Sequence, residues 1–313
     1  MGVLYVVAVA KGAGKTAVCA GIARNLVSSG KKLGYLKPPA DRSDSDVDFM
    51  RQVLGDTDVV NAPDVVRGRD VVLVEASLGK SPTERTSQDT YGAARSMKAR
   101  AIAVETYVGT YSGCASTYAD VYKGFGADLL GAVINKVPPS QVKRVKEEAG
   151  KQFAEAGIQL LGVIPEDRSL LAVTVGELAG RIQGKILNSE EKSGELVEDY
   201  LLGAMVVGSG LGYFGRKVKK AAIIHQDRPD MQLAALETPT RCLVLSGSQA
   251  PPVYNVRHTA QTRGVPIIST EAGTNDIIAS IEDSLLNTRL NQVSKLDKLA
   301  ELVKQNLDLK ALV

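Results

Sequence analysis

The chain has 313 residues, 44% hydrophobic and 23% charged, with 38 Lys and Arg against 35 Asp and Glu. That length holds one large domain or two ordinary ones, and a net charge of +3 without segregation of sign excludes a polyanion binder driven by bulk charge. Aromatic residues, at 4% with no Trp, are too few for a sandwich or jelly roll; 30 Gly with abundant Val, Leu and Ala suit an α/β protein.

In chain order, the apolar start Met1–Ala10 lacks a basic flank and a cleavage site and runs straight into Lys11-Gly-Ala-Gly-Lys-Thr16. It reads as a buried strand and not as a signal peptide. No stretch approaches the ~20 apolar residues that span a bilayer. Cys19, Cys114 and Cys242 lie far apart, with neither metal-site spacing nor a disulfide framework, and are expected as small buried hydrophobes. Isolated thiols fit a reducing compartment, so a soluble, cytoplasmic protein is expected.

β-branched apolar runs predict strands at Val3–Ala10, Lys32–Lys37, Val71–Glu75, Ala101–Glu105, Leu129–Asn135 and Gln159–Ile164. Several are continuous apolar runs, as parallel strands covered on both faces require. Helices are predicted between them, at Thr16–Ser29 with Val18, Ile22 and Leu26 on one stripe, and at Pro139–Glu155. The expected fold is a doubly wound, mostly parallel α/β sheet. Gln183–Gly203 turns polar and marks the expected junction. Beyond it a smaller α/β pattern follows, with strands at Lys220–Ile224, Cys242–Ser246 and Pro266–Ser269 and helices near Pro229–Leu236, Val253–Arg263 and Asn275–Leu286. Lys295–Leu309 is an amphipathic helix that packs on its own domain or across a dimer. The domain limits are set at 1–185 and 203–313, with 186–202 as linker.

The strongest local signal is Val9-Ala-Lys-Gly-Ala-Gly-Lys-Thr16 between a strand and a helix. Gly12, Ala13 and Gly14 form a loop whose backbone N–H groups approach phosphate oxygens. Lys15 would reach the β- and γ-phosphates, and Thr16 would ligate Mg²⁺. Val9 stands where the pattern's first glycine is usual. Glu75 ends an apolar strand, where a carboxylate faces either a metal-bearing cleft or solvent. Lys37 follows a strand and points toward the crevice where such sheets bind ligands. Asp44, Asp46 and Asp48 open a helix, either as caps or with one of them helping to hold Mg²⁺.

The loop, Gly34-Tyr-Leu-Lys-Pro38, the Asp46/Asp48 region, Val74-Glu75 and Ile134-Asn-Lys-Val-Pro138 together resemble the P-loop group of dethiobiotin synthetase and cobyrinic acid diamide synthase. They resemble still more the domain preceding the acyltransferase domain in long phosphate acetyltransferases. Gly203-Ala-Met205, Asp227-Arg-Pro-Asp230, Leu233–Glu237 and Leu243-Val-Leu-Ser-Gly247 resemble the DRTGG domain that follows it, with Ser246-Gly247-Ser248 where Thr-Gly-Gly is usual. The resemblance implies a P-loop NTPase-type domain plus a DRTGG-like domain, without the acyltransferase part. It implies phosphate and Mg²⁺ binding by Lys15 and Thr16, metal ligation completed by Asp48 (or Asp46) and Glu75, and Asn135 on the adenine edge. Lys37 would be catalytic only in a ligase.

Asp227, Arg228, Ser246 and Gly247 are candidates for a second ligand site. Asp227, Arg228 and Asp230 read equally well as a helix cap and surface pair. His225 and His258 lack metal spacing. The expected function is an ATP- and Mg²⁺-binding regulatory or ligand-sensing protein, a homodimer without nucleic-acid or membrane partners. The alternative is an ATP-dependent carboxylate-activating ligase; a scaffold with a vestigial loop is the third possibility.

Overall fold

The computed structural model describes residues 2–38, 44–55, 68–107, 109, 114–287 and 292–312. The chain divides into two units, residues 1–170 with 290–313, and residues 171–289.

The first unit begins β1 (Gly2–Ala8), α1 (Lys15–Ser28), β2 (Leu33–Leu36), α2 (Ser45–Leu54), β3 (Val71–Ser77) and α3 (Arg85–Ser96). It continues through β4 (Arg100–Thr106), α4 (Cys114–Lys123), β5 (Leu129–Val137), α5 (Val142–Glu155) and β6 (Leu160–Pro165) to the short α6 (Arg168–Leu171). The six strands form one parallel sheet in the order β2-β3-β1-β4-β5-β6. Alternation along each strand splits the apolar run between two cores. Leu4, Val6 and Ala8 of β1 pack with Val18, Cys19 and Ile22 of α1 and Phe49 and Met50 of α2. Tyr5 and Val7 face Tyr91 of α3, Tyr122 of α4 and Phe153 of α5. Both faces are therefore dry, which is why these strands read as unbroken apolar runs. β1 stops at Ala8, two residues short of the predicted end, because Val9 and Ala10 already turn into the loop.

The second unit contains β7 (Val173–Thr174), α7 (Val175–Arg181), β8 (Lys185–Ile186), β9 (Leu196–Val197), β10 (Asp199–Leu202) and α8 (Gly210–Phe214). After these come β11 (Lys220–His225), α9 (Pro229–Leu236), β12 (Thr240–Ser246), α10 (Tyr254–Arg263), β13 (Ile267–Ser269) and α11 (Thr274–Asn287). β10, β11, β12 and β13 are parallel, and β8 closes the sheet antiparallel to β13. Ile223, Val244 and Ile268 pack with Leu178 of α7 and Ile277 of α11, while Ile224, Leu245 and Ile267 pack with Phe214, Met231 and Val256. Cys19 and Cys242 are buried, as expected of small apolar residues; the side chain of Cys114 lies outside the described residues.

The expected domain limits are corrected at both ends. Residues 186–202 are not a linker: β8 joins the second sheet, and Val197 of β9 is buried beside Val173. The boundary moves back to 170/171 because a capping box, Thr174 with Glu177, starts α7, whose Leu178 and Ala179 enter the second core. The C-terminal helix Leu296–Asn306 returns to the first unit. Its Leu296, Leu299, Leu302 and Val303 are buried in the α1 core, each worth about 1.5–3 kcal/mol of transfer free energy. Packing is close: a Cβ on Gly21 of α1 would lie 2.4 Å from Val303 Cγ2. Among the described residues, no helix is long and apolar enough to cross a membrane.

Candidate functional site

β1 delivers the loop to the carboxyl edge of the first sheet, flanked by β3 and β4. Gly12 and Gly14 have φ of +74° and +90°, and Gly14 sits at the N-cap of α1. A side chain at Gly14 is excluded twice, by this left-handed backbone and by Asn135 Nδ2, which would lie 2.2 Å from a Cβ. Asn135 closes on the loop from β5: Nδ2 donates to the Ala13 carbonyl at 2.9 Å, and Oδ1 accepts from the Lys136 N–H at 2.9 Å. Ala13 is fully buried beneath this clasp. The first turn of α1 has no acidic residue and no side-chain cap, so its N–H groups and positive dipole end are left for an anion.

Beside the loop, the buried Glu75 of β3 is held at both oxygens. Thr16 Oγ1 donates to Oε1 at 3.1 Å and Tyr35 Oη donates to Oε2 at 2.8 Å. Burial raises the Glu75 pKa; Lys37, Tyr35, Lys15 and Thr16 each pull it part of the way back. Lys37, at the end of β2, is 2.8 Å from Asp44 and 2.5 Å from Asp46, and its Nζ lies 4.0 Å from Glu75 Oε1. Burial disfavours its charge, but the hydrogen bonds to Asp44 and Asp46 prevail and its pKa is raised. The buried Tyr35 hydroxyl is pushed up first by burial and then by Glu75, so it stays a donor. A hydroxyl paired with a carboxylate at a phosphate-binding helix start is an oxygen donor set of the hardness Mg²⁺ prefers. Among the described residues, no three His, Cys, Asp or Glu side chains gather as a metal cluster, so a cation here would rely on phosphate oxygens as well.

In the second unit, the carboxyl edge of the sheet carries His225, Asp227 and Gly247. His225 Nδ1 accepts from the Asp227 N–H at 3.3 Å and lies 3.5 Å from Asp227 Oδ2. Gly247, at φ +87°, leaves room for His225: a Cβ there would be 2.7 Å from Nε2. Arg228 pairs with Asp230 at 2.9 Å and donates to the Met205 carbonyl at 3.1 Å. Ser246 is buried and bonds Thr274 Oγ1 at 3.2 Å.

Comparison with protein families matches residues 3–77 to a model described as an AAA domain and residues 177–284 to the DRTGG domain. The chain is an AAA-type P-loop domain followed by a DRTGG domain. A curated relative, phosphate acetyltransferase of Nitrosomonas europaea, is 22% identical over an alignment that covers 100% of this chain and 51% of that protein. The chain thus spans about half that relative's length and is related to its N-terminal region. Among solved structures, MinD of Aquifex aeolicus matches at TM-score 0.39 and 16% identity, covering 55% of this chain and 85% of that one. The CBS and DRTGG domains of the Clostridium perfringens pyrophosphatase regulatory region, in complex with diadenosine tetraphosphate, match at TM-score 0.33 and 14% identity, covering 49% and 73%.

In the AAA domain, the structure brings Gly12, Ala13, Gly14, Lys15, Thr16, Lys37 and Glu75 to one sheet edge. Asp48 does not join them: it pairs with Arg51 at 2.7 Å and is largely exposed. Residues two apart on a helix point about 200° apart, so when Asp46 faces Lys37, Asp48 faces away. Asp46 meets Lys37, while Asp44 caps the helix by accepting from the Asp46 N–H. Asn135 lies against the loop, where Nδ2 and Oδ1 each make one hydrogen bond and the amide keeps one further donor and one further acceptor position. In the DRTGG domain, Arg228 and Ser246 satisfy internal partners, and the Arg228–Asp230 pair of the alternative reading is present. The N–H groups of Gly247 and Ser248 are taken by the carbonyls of Ala272 and Thr270, while His225 and the exposed Asp227 pair with each other at this edge. One residue went unnoticed in the sequence: Glu105, which ends the apolar run of β4 as Glu75 ends that of β3, and is 3% exposed. The rule that singled out Glu75 would have found it.

Proposed function

We propose that the AAA domain binds ATP with Mg²⁺ in the loop Gly12–Thr16, and that the protein is a nucleotide-dependent regulatory or ligand-sensing protein whose DRTGG domain takes a second small ligand. The observation that carries this reading is the loop itself. Two left-handed glycines deliver uncapped N–H groups at the start of α1, with Lys15 beside them and the Thr16–Glu75 pair beneath. Thr16 and Glu75 are the residues that would hold Mg²⁺, which when bound neutralises charge on the phosphates. Asn135 fixes the loop's shape before the ligand arrives, so little ordering entropy is spent on binding. Titrating Mg·ATP into the wild-type protein and Lys15→Ala by calorimetry tests the reading. Binding by the wild type, weakened at least tenfold in the variant, supports it; no binding by the wild type refutes it.

The second reading, a carboxylate-activating ligase, is favoured by Lys37 lying 4.0 Å from Glu75 at the same edge. Against it, both Asp44 and Asp46 already claim that ammonium. Phosphate release stimulated several-fold by a small carboxylic acid would decide for the ligase.

A further inference from the structure

Two strands flank β1, and each brings one buried carboxylate to the carboxyl edge, Glu75 from β3 and Glu105 from β4. They lie on opposite faces of the sheet. Glu75 alternates with Leu73 on the α1 face, whereas Glu105 follows Ala101 and Ala103 on the other. Their surroundings differ as well. Both oxygens of Glu75 receive hydrogen bonds, while Glu105 Oε1 is buried without a hydrogen-bond partner among the described residues.

A buried carboxylate with an unsatisfied oxygen is destabilising as an anion and persists only where something compensates it. On the neighbouring strand, the side chain of Asn135 is committed to Ala13 and Lys136. Lys11 of the loop and Lys136 of β5 are exposed. Desolvation pushes Glu105 up to about 7, and the charge that acts against this is Lys15. Lys15 also acts on Glu75, so its charge offsets the burial of both acids.

We propose that Glu105 is a proton-binding site of the phosphate loop, partly ionised while it shares the charge of Lys15 and protonated once the phosphates of a bound nucleoside triphosphate take Lys15 over. The inference rests on the nucleotide reading of the loop. The ammonium of Lys15 changes partner, and the ionised fraction of the Glu105 carboxylate takes up a proton from solvent. No bond to phosphorus forms or breaks. Without that proton, a buried carboxylate would face the polyphosphate as an uncompensated like charge; with it, Glu105 becomes a hydrogen-bond donor on the side of the loop away from Glu75. Binding therefore draws in up to about half a proton at pH 7, where the free carboxyl is about half ionised, and tightens as pH falls.

Calorimetric titration of Mg·ATP into the full chain and into Glu105→Gln, at pH 7 in two buffers of different ionisation enthalpy, reads the proton directly. The difference between the proteins cancels proton exchange by the nucleotide itself. The wild type is expected to take up more protons than the variant. The ratio of wild-type to variant affinity is expected to rise roughly tenfold from pH 8 to pH 6. Equal proton uptake and a pH-independent ratio, with both proteins binding, overturn this inference alone; absence of wild-type binding overturns the nucleotide reading with it. If Glu105→Gln fails to fold, carboxyl carbon NMR of glutamate-labelled wild type follows the same event. One resonance titrating near neutrality and protonated by Mg·ATP supports the inference, and none doing so refutes it.

Discussion

Replacing Glu105 by Gln should change how stability depends on pH, whatever nucleotide does. In the folded protein, burial holds this carboxyl at about 7, against an ordinary value of 4.5. Below 4.5 the carboxyl is protonated in both folded and unfolded chains, so its favourable neutral form is fully present. Between 4.5 and 7 the unfolded chain releases the proton and the folded one retains it, and stability falls as pH rises. Two and a half units at 1.36 kcal/mol each give about 3 kcal/mol lost across this window. Gln does not titrate, so the variant escapes the loss, and any packing change it introduces is independent of pH. For a unit of this size, about 3 kcal/mol is roughly 6–12 °C in the midpoint of unfolding. Thermal melts of both proteins from pH 4 to pH 8 should show the variant gaining on the wild type by that amount, with the gain complete just above pH 7. A difference in midpoint that stays constant over the whole range would refute the assignment of Glu105 as a buried, unsatisfied carboxyl.

Other substitutions test the remaining parts of the argument. Asn135→Ala removes the bond to the Ala13 carbonyl at 2.9 Å, and at about 1 kcal/mol it should weaken Mg·ATP binding roughly fivefold to tenfold, read by calorimetry. Asp48→Asn should leave that affinity within twofold, since Asp48 faces Arg51, whereas the same change at Glu75 should abolish the Mg²⁺ dependence of binding. Tyr35→Phe removes the donor to Glu75 Oε2 and should lower stability by about 1–3 kcal/mol in denaturant melts; an unchanged midpoint would mean that the hydroxyl does not hold the carboxylate. Leu299→Ala opens a cavity under the C-terminal helix and should cost about 2–5 kcal/mol in the same assay, with the loss confined to the unfolding of the first unit.

What could be read from the chain in advance follows from how local each feature is. The core strands were legible because a parallel sheet covered on both faces needs continuous apolar runs, and Val71–Val74 or Ala101–Val104 satisfy that need without help from elsewhere. The loop was legible because Gly12, Gly14, Lys15 and Thr16 are consecutive enough for one strand, one turn and one helix start to contain them. Features decided by distant partners were not. Leu296, Leu299, Leu302 and Val303 announce a buried helix face, but the choice of α1 as its partner depends on Gly21 being small enough to admit Val303. Arg228 and Ser246 lie beside the right motif, yet Met205, Asp230 and Thr274 satisfy them internally. The contrast between Asp46 and Asp48 is the sharpest case: both belong to the same acidic run, and a phase difference of half a helical turn separates a partner of Lys37 from a surface pair with Arg51. Glu75 and Glu105 show the opposite situation. Each ends an apolar strand, so the sequence marks both equally. The donors that satisfy Glu75, from Tyr35 and Thr16, come from other elements, and they alone turn two identical signals into a held carboxylate and a proton-binding one.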